Sequence, residues 1–119
     1  MPFPKLYQNE PCPIEGYEAY TLRVWVNPPP AVKDAWYAGL AKLAGQDYAA
    51  FGAAAVPIYG ETKAEGLDFS TEEAAAETAS CEDLPDELFA WLLMLPGALW
   101  QARTDDLKKK LASASPTTN

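Results

Sequence analysis

Four adjacent carboxylate pairs, Glu72-Glu73, Glu82-Asp83, Asp86-Glu87 and Asp105-Asp106, are the residues of this chain best typed for chemistry. Two carboxylates held close together can divide into an acid and a base when burial or a charged neighbour drives their pKa values apart. Each pair here falls where a helix is expected to begin, and acids in a first turn are explained by compensation of the helix dipole. Nucleophilic catalysis needs a base beside Ser, Thr or Cys. With no His among 119 residues, the commonest base and metal ligand is missing. Glu61 to Asp68 holds spaced acids without the order of a calcium loop, and no Gly-rich phosphate loop is present. The expectation is no catalytic residue, no metal and no cofactor.

The two cysteines, Cys12 and Cys81, form no C-x-x-C pair. The opening stretch, MPFPKLYQNEPCPIEG, has no apolar h-region, which predicts no export, a cytoplasmic setting and reduced thiols. Cys81 is expected as a buried structural thiol and Cys12 as an exposed one, with a disulfide between them as the alternative.

Charge is unevenly placed. The formal net charge is -8, and the segment from Gly60 to Ala90 carries ten acids against one base. There is no basic stripe along the chain, which argues against direct nucleic-acid binding. The acidic segment serves solubility as a wetted helix face and loop. Alternatively, Glu72, Glu73, Glu77, Glu82, Asp83 and Asp86 mimic DNA toward a basic enzyme.

Residues 1–16 hold Pro2, Pro4, Pro11 and Pro13, which deny a helix and predict an extended arm, pinned through Phe3, Leu6 and Tyr7. Glu18 to Asn27 alternates with a period of two and is the clearest strand, with Tyr20, Leu22, Val24 and Val26 toward the core. Trp25 lies on the opposite side, either packed under another element or exposed as an anchor. Pro28-Pro29-Pro30 leads into a helix whose stripe is Val32, Trp36, Leu40 and Leu43, with Gly45 as its C-cap. Asp47 caps a second helix to Ala55, where Gly52, Ala53 and Ala54 permit close backbone approach. Val56 to Tyr59 reads as an edge strand at best because of Pro57, and Leu67 with Phe69 as another short strand. Ser70 opens a capping box with Glu73, followed by a helix to about Ser80.

Leu88 to Trp100 then reads LFAWLLMLPGALW, thirteen positions without a charge. A bilayer span needs roughly 18 or more apolar residues, so no membrane role is expected. The run must be buried in the chain's own core or against a partner. One stripe comprises Leu84, Leu88, Trp91, Leu92, Leu95 and Leu99, a second Phe89, Leu93 and Trp100. Their combined width exceeds what a helix with one wet face needs. Pro96-Gly97 is expected to kink or break the helix. Asp105 and Asp106 precede Lys109 and Lys110 by four, which supports helix beyond it.

The order of elements resembles the small tail-assembly chaperones encoded beside the tape-measure gene in long-tailed phages and prophages. The likeness rests on Arg23, Asn27, Pro28 and Pro29 at the strand end, and on Leu84, Pro85, Glu87, Leu88 and Trp91 at the apolar helix. It covers about residues 17–112. Where many members carry a Trp-Asn pair before the mid-chain turn, this chain has Val56-Pro57-Ile58-Tyr59. The resemblance implies a non-enzymatic protein of the host-cell cytoplasm. It would coat the tape-measure protein, or bind other tail proteins, until tail-tube subunits displace it. The binding face would then be Trp91, Leu92, Leu95, Leu99 and Trp100, with Trp36. Alternatives are a structural virion component (a connector or tail-completion subunit) or the acidic DNA mimic, and a homo-oligomer would also satisfy the apolar run.

The expected fold is α+β and mostly helical. One clear N-terminal strand, alone or in a small two- to three-stranded antiparallel sheet, packs on four or five helices. The expected layout is a Pro-rich arm over 1–16, a single globular domain over 17–112 and a flexible polar tail over 113–119.

Overall fold

A computed structural model describes residues 3–60, 62–64, 67–81 and 84–114. Among these, strand β1 (Tyr7–Pro11) pairs antiparallel with β2 (Thr21–Trp25), in the register Tyr7 opposite Trp25 and Pro11 opposite Thr21. Then come helices α1 (Pro30–Lys42) and α2 (Tyr48–Tyr59), the small hairpin β3 (Lys63–Ala64) and β4 (Leu67–Asp68), and helices α3 (Glu72–Ser80) and α4 (Asp86–Ala114). The fold is α+β and mostly helical, with the β1-β2 sheet packed on the four helices.

The alternation in β2 sorts its side chains as the period of two requires: Leu22, Val24 and Val26 are buried and Tyr20 is half-buried. The Pro-rich arm is extended and supplies β1. It is held by Asn27, whose Oδ1 accepts from the Leu6 amide (2.7 Å) and the Trp25 indole (2.9 Å), while its Nδ2 donates to the Pro4 carbonyl (2.9 Å). Trp25 is packed, 7% exposed, with Lys5 4.6 Å above its ring and Tyr7 beside it. The thiols reverse expectation. Both are free, but Cys12 is the buried one and Cys81 the exposed one. Cys12 directly follows β1, whose own side chains are exposed or half-buried, and its amide donates to the Tyr20 carbonyl (2.9 Å). Cys81 directly follows the last turn of α3.

Pro29 and Pro30 start α1 with proline already in its required conformation. The left-handed residue after α1 is Gln46 (φ 60°) rather than Gly45, because a 3-10 turn over Leu43–Gly45 carries the chain one residue further. Asp47 caps α2 by accepting from the Ala50 amide (3.1 Å). Helix α2 runs through Pro57 to Tyr59, so Val56 to Tyr59 is not a strand. Proline there deprives the Ala53 carbonyl of its donor. Ala53 and Pro57 both lie on the wet side of α2, where water can replace it. Likewise Thr71, not Ser70, caps α3, accepting from the Ala74 amide (3.0 Å), while the Ser70 amide donates to Asp68 Oδ1 (2.9 Å). Leu67 and Asp68 pair with the short β3 strand.

Helices α2 and α3 touch at Gly52, where a Cβ would stand 2.6 Å from the Ala76 amide nitrogen. Pro96 does not end α4, which runs for 29 residues in all and continues to Ala114. A buried proline leaves the carbonyl four residues back, that of Leu92, without its helical donor. The Tyr59 hydroxyl from α2 supplies one, donating to the Leu92 carbonyl at 2.5 Å. Tyr59 is fully buried, and desolvation pushes its pKa well above the usual 10, so the phenol stays protonated and able to donate. Because this pKa is higher folded than unfolded, its contribution is complete below pH about 10 and fades as pH rises above that.

Unfolding in urea reads out both contacts. Tyr59→Phe should lower stability by about 1–3 kcal/mol, the price of a stranded buried carbonyl. The same change in a Pro96→Ala background should lose less than half as much, since residue 96 then donates; an unchanged loss would refute the pairing. Gly52→Ala should destabilise by about 1–3 kcal/mol despite alanine's better helix propensity of about 1 kcal/mol, because the obstacle is backbone.

Candidate docking surface

The sequence assigns partner binding to Trp36, Trp91, Leu92, Leu95, Leu99 and Trp100, and the fold separates these residues. Trp36, Leu92, Leu95 and Trp100 are buried in the monomer's own core, and Trp91 and Leu99 are half-buried. Trp36 lies among Phe51 (5.4 Å between ring centroids) and Tyr59 (5.9 Å), and its indole N–H has no acceptor among the described residues. The broad apolar face of α4 is explained by packing on more than one side: Phe89 meets Phe51, and Trp100 meets Tyr37 edge-on at 6.0 Å. Of the large apolar residues in the run, Met94, 71% exposed, remains outside, together with Ala90 and Ala98.

Trp100 has a second task inside. Hydrogen bonds from Val26 to Leu6 and from Cys12 to Tyr20 (2.9 Å each) fix which residues of β2 face β1. Arg23 and Trp25 then present their backbone groups to the far edge. There the buried Thr62 hydroxyl accepts from the Arg23 amide (2.8 Å) and donates to the Arg23 carbonyl (3.0 Å). The Trp100 indole donates to the Trp25 carbonyl (2.9 Å). Trp100 therefore closes a sheet edge and cannot turn outward without exposing it.

Past Trp100, α4 leaves the body. From Gln101 to Ser113 every side chain is exposed except the half-buried Thr104. The molecule measures 58 × 31 × 29 Å, with a radius of gyration of 16.1 Å. A compact domain of this length would have about 13.5 Å. Leu107 (55% exposed) and Leu111 (61%) stand on this projecting half. Trp100, Thr104, Leu107 and Leu111 are spaced 4, 3 and 4, the repeat of a helix seam. That spacing was readable in the sequence, but the longer apolar run before it masks so sparse a pattern.

At the root of this half lies a cleft of about 300 Å³ between α4 and the end of β2. Val26, Pro28, Trp100 and Leu107 give its apolar lining, and Lys33, Arg103 and Lys110 are its cations. The one lining carboxylate, Asp106, is paired with Lys110 at 3.2 Å. Lys33 sits 5.8 Å from the Trp100 ring. Among the described residues no group of His, Cys, Asp or Glu could hold a metal ion, and no helix is long and apolar enough to cross a membrane. Of the acidic residues considered for DNA mimicry, Glu72, Glu73, Glu77 and Asp86 are exposed, while Glu82 and Asp83 lie outside the described residues.

Comparison with protein families, curated proteins and solved structures finds no match to this chain.

The inward and outward faces of α4 should respond differently to substitution. Trp100→Phe, which strands the Trp25 carbonyl, should cost about 1–3 kcal/mol in thermal or urea unfolding. Met94→Ser should change stability by less than about 0.5 kcal/mol. Equal effects would contradict the assignment of faces.

Proposed function

We propose that this chain is a non-enzymatic binding protein of the tail-assembly chaperone kind, holding the helical tape-measure protein of a long-tailed phage or prophage reversibly in the host cytoplasm. The observation that carries the reading is the half-helix beyond Trp100, which keeps Leu107 and Leu111 in water although the rest of the apolar surface of α4 is largely absorbed by the core. Fully burying an exposed leucine contributes about 1.5–3 kcal/mol; Leu107 and Leu111 are already partly covered, so the two together suit a weak, readily reversed contact. The resemblance in element order supports the setting. Asn27-Pro28-Pro29 ends β2 and feeds α1, and Leu84-Pro85 precedes α4, with Glu87 and Leu88 in its first turn. The acidic body, at a net charge of -8, would keep a client-loaded complex soluble.

The client face in this proposal moves from Trp91, Leu92, Leu95, Leu99 and Trp100 to the projecting half of α4, since most of those residues are committed to the fold. The test is co-purification with the tape-measure protein encoded beside this chain. Leu107→Asp with Leu111→Asp should abolish co-purification and leave the unfolding midpoint within a few degrees of wild type. Met94→Ser should retain the client. Undiminished capture by the double aspartate variant would refute this face, and failure of the wild-type chain to capture the protein would refute the tail-assembly reading.

A further inference from the structure

We infer that the cleft and seam on the distal half of α4 form a charge-selective seat for an amphipathic helix whose flanking residues are acidic. The inference rests on the helix-binding reading above, but it does not depend on the tail-assembly setting.

Three observations converge. The first is the seam. Trp100, Thr104, Leu107 and Leu111 repeat at 4, 3 and 4, the spacing of a helix seam; Trp100 anchors its root in the core, Thr104 is half-buried, and Leu107 and Leu111 are the knobs left in water. The second is the charge beside the seam. The residues flanking it on one side are Arg103 and Lys110, and on the other Gln101 and Lys108. Three of these four are cations and none is an anion, in a chain whose net charge is -8. The third is shape. The cleft at the seam's root brings Lys33 of α1 together with Arg103 and Lys110 of α4, and Trp100 and Leu107 share its lining. An incoming helix would bury its apolar residues on Leu107 and Leu111 and set its carboxylates against Lys33, Arg103 and Lys110. Arg103 has no ion pair among the described residues. The Lys110 to Asp106 pair joins side chains 73% and 64% exposed, so it is weak and exchangeable for an intermolecular partner.

A second copy of this chain is a poor occupant. Two seams brought together would oppose cation to cation along their flanks, which disfavours pairing. The acidic exposed face of α3, Glu72, Glu73 and Glu77, offers charge without a seam, because Ala75 and Ala79 are buried in the chain's own core. The occupant that satisfies both the apolar row and the cationic flanks is a separate helix with acidic flanks.

The test uses the full chain and two synthetic peptides of equal length with leucine at the seam positions. One has glutamate at the flanking positions and the other lysine. Binding is followed by titration calorimetry and by the gain of helical circular dichroism in low and high salt. The glutamate peptide should bind at least about tenfold more tightly than the lysine peptide, about 1.4 kcal/mol. The preference should shrink in high salt. Arg103→Glu with Lys110→Glu should reverse it, and Leu107→Asp should remove binding of both peptides, each with an unchanged unfolding midpoint. Equal affinity for the two peptides would overturn the charge selection. Binding of neither would overturn the seat, whereas failure of tape-measure co-purification alone would leave it standing. A doubled solution mass of the free protein that Leu107→Asp returns to monomer would assign the seam to a second copy and overturn the inference.

Discussion

The hydrogen bond from the Tyr59 hydroxyl to the Leu92 carbonyl sits where two demands on the chain conflict. Pro96 is buried, and its ring fills core volume, yet a proline in the middle of a helix leaves a carbonyl unserved in a place water does not reach. A phenol is the right length to cross from α2 to α4 and, held neutral by burial, it is always ready to donate. With this carbonyl served, α4 passes through the core without breaking. Its far half then continues as helix beyond the core, so one 29-residue element carries both core and surface roles. Pro57 in α2 faces the opposite situation. Its unserved carbonyl lies on the wet side and needs no protein partner.

The second constraint is the edge of β2. A two-stranded sheet leaves a row of backbone groups open, and open edges invite pairing with other chains. Here the far edge is closed by side chains rather than by a third strand: Thr62 satisfies both groups of Arg23, and the Trp100 indole satisfies the carbonyl of Trp25. The same tryptophan also forms part of the cleft at the root of the projecting helix. The sheet, the N-terminal arm held by Asn27 and the origin of the proposed docking seam are thus tied together within a few residues of each other.

Charge is partitioned along the same axis. The acids concentrate in the middle of the sequence, on and around α3 and the start of α4, while Lys33, Arg103 and Lys110 gather at the other end of α4. The net charge of -8 keeps like molecules apart in solution, while the cations gathered at the cleft leave a local attraction for a partner of opposite flank charge. Because the cations are solvent-exposed or partly so, their influence is one of orientation and selection, and the leucines would supply most of the affinity.

Much of the fold was legible in sequence because it is dictated locally. The alternation from Tyr20 to Val26, the proline entry to α1, the Asp47 cap and the acidic first turns of α3 and α4 all act over four residues or fewer. Where local rules competed, the sequence misplaced details by one residue, as at Gln46 and Thr71, because the choice turns on a neighbouring hydrogen bond. Other features depended on distant residues and were not legible. Whether Pro57 and Pro96 break a helix depends on what stands opposite the freed carbonyl, water in one case and Tyr59 in the other. Cys12 is buried because β1 pairs with β2, and no local pattern encodes that pairing. The apolar run from Leu88 to Trp100 established that something must cover it. Tertiary packing alone decided that the covering is mostly the chain's own core, and that the leucines left in water lie about two and three turns further along, at Leu107 and Leu111.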